Sequence, residues 1–273
     1  MRDFLEKQAE EAEEAGDLRS AFEAWKKLAV KNQDPAFFLR YGRVAKKLEL
    51  WEEAEGAFKQ AFRLAPTSSL IMENMGSLWA SRTDKGEAES FESAKEWFLQ
   101  ALKHECHARL LTQLGSTHLA LDDAMAARGA FEEAIRIDPD YEEALYNLAV
   151  LDEQTNPRRA MELLEKAIEI DPDYAIAHQL LGKLSQRSSD LTRAEYHFRR
   201  SLEIDPADYW SNMYMANLLG AQGRNAEAEQ AYRFATNLHP EITGGVEAFA
   251  RFLESIGKVE AAAKERAQMK PPI

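Results

Sequence analysis

Apolar and small residues recur along this chain at the three-to-four spacing of a helix face, in paired helical stretches that together fill about 34 residues. With each unit numbered from the start of its first helix, position 8 reads Ala9, Gly42, Gly76, Gly115, Ala149, Gly182, Ala216 and Ala250. Position 20 is alanine in all eight units: Ala21, Ala54, Ala94, Ala127, Ala160, Ala194, Ala228 and Ala262. A hydrogen or a methyl at a fixed point on successive helices lets their backbones approach closely. Position 24 is bulky in seven units, as Trp25, Phe58, Phe98, Phe131, Leu164, Phe198 and Tyr232, and supplies a knob for those gaps. Position 27 is small again at Ala61, Ala101, Ala134, Ala167 and Ala235, and position 32 holds Pro66, Pro139, Pro172, Pro206 and Pro240. A ring that cannot continue a helix ends the second helix of each pair there. The pattern predicts eight helix-turn-helix units, 2–34, 35–68, 69–107, 108–141, 142–174, 175–208, 209–242 and 243–273.

Small at 8, alanine at 20, aromatic at 24, alanine at 27 and proline at 32 resembles the tetratricopeptide repeat, over essentially the whole chain. The resemblance implies an all-α fold, a right-handed superhelical solenoid of eight tetratricopeptide-type repeats making about one superhelical turn. It also implies a concave groove, lined by the first helix of each unit, that takes an extended peptide or a partner helix.

Departures from the pattern are informative. The third unit carries extra residues around Thr83 to Phe91, expected to lengthen a surface turn. The fifth is one residue short in the same turn, where Asn156-Pro157 reads as an N-cap followed by proline, a device repeated at Asp34-Pro35. The first helix has few apolar residues and Arg266 replaces the last aromatic, as expected of capping units. No Gly/Ser/Pro-rich linker breaks the register, so a single domain over 1–273 is expected.

A formal charge of −13 argues against nucleic acid as a partner. The N-terminus lacks the apolar run of a signal peptide and nothing reaches transmembrane length, which excludes a membrane-spanning reading. One cysteine forbids an internal disulfide and makes a cytoplasmic location the expectation. His104, Cys106 and His107 cluster, with His118 about three helical turns on. Imidazoles at i and i+3 sharing a helical face are what a zinc or copper site needs. Cys106, however, takes the turn position usually held by proline, and His118 falls on the packing face, so no metal is assigned. There is no glycine-rich phosphate loop and no nucleophile elbow, and pairs such as Glu132-Glu133 read as solvated surface. The expectation is a non-catalytic chain without a cofactor.

Candidate chemistry therefore lies on positions 2, 5, 6, 9, 12 and 13 of the first helices, facing away from the packing stripe at 4, 7, 8 and 11. Arg40, Arg43, Lys46 and Lys47 in unit two, with Arg109 and Gln113 in unit four, make one stretch basic. Tyr146, Asn147, Gln179, Lys183, Trp210, Met213, Tyr214 and Asn217 make another aromatic and amide-rich. Such a lining suits a protein or peptide partner with acidic and apolar anchors. Some tetratricopeptide co-chaperones clamp a terminal carboxylate; at the matching positions this chain has Leu39, Arg43, Asn74, Arg109 and Gln113, and Asn74 alone is identical. Arg43 and Arg109 keep a cationic role, so an anion site of looser specificity is expected. Asn74 and Asn147 resemble the asparagines that grip peptide backbone in the family. Trp25, Trp51, Trp79 and Trp97 have packing or turn positions, whereas Trp210 at position 2 has none and reads as a contact residue. The leading reading is a peptide-binding scaffold; the alternative is a structural subunit that assembles through its ends or convex face, with the oligomeric state open.

Overall fold

The computed structural model describes residues 2–82 and 86–267, and the regular structure among them is helical. In the first four repeats α1 (Arg2–Glu14) pairs with α2 (Leu18–Asn32), α3 (Pro35–Lys47) with α4 (Trp51–Leu64), α5 (Ser69–Ser81) with α6 (Glu87–Leu102), and α7 (Ala108–Ala120) with α8 (Ala124–Ile137). The next four are α9 (Glu142–Asp152) with α10 (Pro157–Ile170), α11 (Ala175–Arg187) with α12 (Leu191–Ile204), α13 (Tyr209–Ala221) with α14 (Asn225–Leu238), and α15 (Thr243–Ser255) with α16 (Val259–Ala267). These helices form two compact units, Met1–Ala144 and Leu145–Ile273. The boundary falls within α9, where the sequence register is unbroken. No helix among the described residues is long and apolar enough to cross a membrane.

The small columns work by one recurring contact. A β-carbon placed on Gly42, Gly76, Gly115 or Gly182 would lie closer than 3.0 Å to the ring of Phe58, Phe98, Phe131 or Phe198 respectively. Glycine stands at position 8 wherever phenylalanine stands at position 24, and alanine wherever it does not: Ala9 with Trp25, Ala149 with Leu164, Ala216 with Tyr232, Ala250 with Arg266. Two of those exceptions carry a polar end bonded to the unit's own first helix: Trp25 Nε1 donates to Glu13 at 3.1 Å, and Tyr232 OH to Asn217 Oδ1 at 2.6 Å. The helix pairs thus interlock as shaped surfaces, with the alanines of position 20 fully buried between them.

Local chemistry sets the turns. Asp34 caps α3 by accepting from the Ala36 amide and Asn156 caps α10 through the Arg159 amide, each ahead of a proline in the first turn. After α8, α10 and α12, the side chains of Asp138, Asp171 and Asp205 accept from the amide two residues on, which turns the chain at the position-32 prolines. The insertion of the third repeat departs from expectation. Residues 83–85 lie outside the described residues, and Glu87 to Phe91 open α6 as helix, with Glu87 and Glu89 in the first turn where carboxylates favour the helix N-terminus. Trp51, expected in a turn, is the first residue of α4 and packs against the N-terminal core. At the last repeat Arg266 pairs with Glu247 at 2.8 Å and with Glu254, a polar lid where the other repeats bury a ring or, at Leu164, an aliphatic side chain.

Candidate functional site

In the N-terminal unit, α3, α5 and α7 enclose a cavity of about 280 Å³. Its walls are Arg43, Lys46 and Lys47 from α3, Leu70, Glu73, Asn74 and Ser77 from α5, and Arg109 and Gln113 from α7. The structure therefore brings Arg43, Asn74, Arg109 and Gln113 together. Positions 43, 46 and 47 are i, i+3 and i+4 on one helix face, so α3 presents all its cavity cations to the same wall.

Those cations differ in what they hold. Glu73, only 4% exposed, receives Arg109 Nε at 2.9 Å and lies 3.4 Å from His107 Nε2. His107 Nδ1 accepts from the Leu110 amide at 3.2 Å as the cap of α7, so its proton sits on Nε2 and points at Glu73. Arg109 thus lines the cavity as a cation tethered to Glu73, unlike Arg43. Arg40 lies outside this cavity, 3.6 Å from Glu13 and 5.3 Å above the Trp25 ring. Lys47 lies 3.7 Å from Glu13. Lys46 donates to Ser77 Oγ at 2.6 Å, and burial, reinforced by the neighbouring Arg43 charge, holds its pKa below the ordinary lysine value. Neither Arg43 nor Lys46 is within ion-pair distance of a carboxylate among the described residues. Asn74 Nδ2 donates to Leu70 O at 2.7 Å, and Gln113 Oε1 is buried without a hydrogen-bond partner among the described residues.

The C-terminal unit is built otherwise. Lys183 and Arg187 both reach Glu153, at 2.9 and 3.2 Å, so its groove-side cations share one carboxylate. Trp210 is 53% exposed, with its ring 6.3 Å from that of Tyr214, which in turn stacks on buried Phe198 at 5.6 Å. The result is an open aromatic step. Asn217 is engaged on both sides of its amide, donating to Met213 O at 2.8 Å and accepting from Tyr232. Asn147 is half-buried on α9, and Tyr146 packs its ring 5.6 Å from Tyr174.

Position 5 does not belong to the exposed face. Glu73, Thr112 and Met213 are buried there, Tyr146 packs, and Gln179 donates to Asp208, the cap of α13, at 2.6 Å. That position meets the start of the following repeat's first helix, so its side chains lock neighbours together. Sequence reasoning passed over Glu73 for this reason, although a signal exists: Glu73 is the one charged residue in α5. The His104/His107 pair does not share a helical face, because His104 lies in the turn after α6 and His107 caps α7.

The tetratricopeptide repeat family model matches residues 118–184. Residues 118–184 are thereby identified as tetratricopeptide repeat. The helix pairs on either side of them carry the same glycine–phenylalanine interlock and the same fold. Among solved structures, a tetratricopeptide repeat protein from Parabacteroides merdae is 18% identical with a TM-score of 0.64, covering 93% of this chain and 97% of that one. The Pseudomonas aeruginosa pilF structure is 16% identical with a TM-score of 0.70, covering 80% and 97%. YrrB, described as a tetratricopeptide protein with an unusual peptide-binding site, is 18% identical with a TM-score of 0.50, covering 70% and 97%. At these identities the likeness is one of fold. The comparison with curated proteins gave no match. Tetratricopeptide arrays serve in general as non-catalytic scaffolds for protein–protein interaction.

Proposed function

We propose that this chain is a tetratricopeptide scaffold whose first helices hold a peptide segment of a protein partner. Each unit is read by itself: in the N-terminal unit an acidic side chain seats in the cavity of Arg43, Lys46 and Asn74, and in the C-terminal unit the Trp210–Tyr214 step takes an apolar one. The observation that carries this reading is the pair Arg43 and Lys46, which share a cavity and have no carboxylate in ion-pair range among the described residues, in a chain of net charge −13. Placing like charges together costs free energy that an anionic ligand returns. YrrB's described peptide-binding site lends the fold-level precedent.

The test is fluorescence anisotropy with a labelled decapeptide of alternating glutamate and serine. Arg43→Glu with Lys46→Glu is expected to weaken binding at least about tenfold and flatten its salt dependence, with the circular dichroism unchanged. Equal affinity in the double variant would move the acid-binding surface elsewhere. Self-assembly through the end helices is the second reading, favoured by the exposed Phe4 of α1 and Val259 of α16. A concentration-dependent mass by light scattering would support it.

A further inference from the structure

The N-terminal cavity already contains one carboxylate, and that group shows what a carboxylate uses. Glu73 takes the Arg109 fork through Nε and Nη2, with the His107 ring 3.4 Å away. What remains lies across the cavity: the Arg43 guanidinium and the Lys46 ammonium from α3, with Lys47 one residue on, facing Ser77 and Asn74 from α5. A second carboxylate would carry one negative charge and two oxygens to a wall where Arg43 and Lys46 have no carboxylate within ion-pair range among the described residues and Lys47 shares Glu13. A phosphomonoester carries close to two charges at neutral pH and three strong acceptor oxygens. Its tetrahedral face matches donors arriving from two helices, where the planar fork of a carboxylate matches one arginine. Burial and, secondarily, the Arg43 charge hold the Lys46 pKa down, and a dianion would offset that repulsion more fully than a monoanion.

We propose that this cavity recognises a phosphorylated serine or threonine in the partner segment, held by Arg43 and Lys46 with Lys47 and Ser77 completing the donor set. The inference rests on the reading of the cavity as the seat of an anionic peptide side chain, and narrows it to one chemistry. The source is a peptide because the cavity is walled by exposed Leu70 and by Asn74. The Asn74 Oδ1 has no partner among the described residues and suits a backbone N–H alongside the phosphate.

Four probes separate the outcomes by calorimetry on the full chain: glycine-flanked, end-blocked pentapeptides centred on phosphoserine, on glutamate or on serine, and inorganic phosphate alone. The phosphoserine peptide is expected to bind at least about tenfold tighter than the glutamate peptide at pH 7.5. That margin should shrink below a pH of about 6, where the phosphate takes up its second proton and glutamate stays ionised. Arg43→Gln with Lys46→Met should remove the preference while the fold, read by circular dichroism, is kept. Equal binding of the phosphoserine and glutamate peptides, with serine silent, would overturn the phosphate inference and leave the acidic-anchor reading standing. Inorganic phosphate binding as tightly as the phosphopeptide would overturn the peptide source. Silence of every charged peptide would remove both readings.

Discussion

The two units use one interlock to build opposite surfaces. In the N-terminal unit, Gly115 admits the Phe131 ring; in the C-terminal unit, Gly182 admits Phe198 in the same way. On the exposed side of the first helices the likeness ends. Arg43 and Lys46 have no carboxylate partner among the described residues, whereas Lys183 and Arg187 share Glu153 and the exposed feature is the Trp210–Tyr214 step. The difference teaches that packing positions and contact positions vary independently, because the columns that interlock helices never reach the face that meets solvent. One unit is an electrostatic surface and the other an aromatic one, on the same scaffold.

The largest expected effect tests the shared half of that comparison. Gly115→Leu and Gly182→Leu should each lower stability by roughly 3 kcal/mol, since even a β-carbon collides with the paired ring, and urea melts would show it. Gly115→Ala should be milder, and combining it with Phe131→Leu, the pairing found at Ala149 and Leu164, should recover part of the loss. Additive losses would mean that the glycine–phenylalanine correspondence is not a physical coupling.

The aromatic surface comes next. Trp210→Ala should cost about 2 kcal/mol of affinity for a peptide with an apolar anchor and should remove the most acrylamide-accessible fluorescence, with little change in the melt. Unfolding of the C-terminal unit in this variant would make Trp210 a packing element.

A third difference is confined to the C-terminal unit. His178 and His197 are buried with their Nδ1 atoms 2.9 Å apart, and His178 Nε2 lies 3.2 Å from Pro172 O. A carbonyl only accepts, so His178 carries its proton on Nε2 and His197 donates to His178 Nδ1; both rings are neutral. Burial lowers the pKa of His178, and burial with the neighbouring His178 and Arg193 pushes His197 down to about 4. Because the unfolded rings take up protons near 6.5, where the folded ones resist, this stability is full above that pH and drains away as pH falls toward about 4. A loss of roughly 1.5 kcal/mol between pH 6.5 and 5 is expected, and His178→Gln with His197→Gln should abolish it. The smallest effect would blur the contrast itself: Glu153→Gln frees Lys183 and Arg187 and should raise affinity for the glutamate–serine decapeptide about threefold.

The sequence showed what recurs. Position 8, position 20 and the prolines repeat at a fixed interval, so the helix pairs could be placed from spacing alone. Arg43, Asn74 and Trp210 were legible for a related reason, since each occupies a position that the packing stripe leaves over. What stayed hidden are pairings made once, between residues far apart in the chain: Glu73 with Arg109, Glu153 with Lys183, His178 with His197. A charge on an exposed column reads as available until its partner is seen, and position 5 reads as surface until the next repeat's first helix covers it.

The central claim is that the exposed faces of the first helices are the binding surface, and hydrogen exchange by mass spectrometry tests it most directly. With the glutamate–serine decapeptide bound, amide exchange should slow in α3, α5 and α7, which wall the basic cavity, and stay unchanged in α4, α6 and α8. Protection confined to those second helices, or to α1 and α16, would contradict the account.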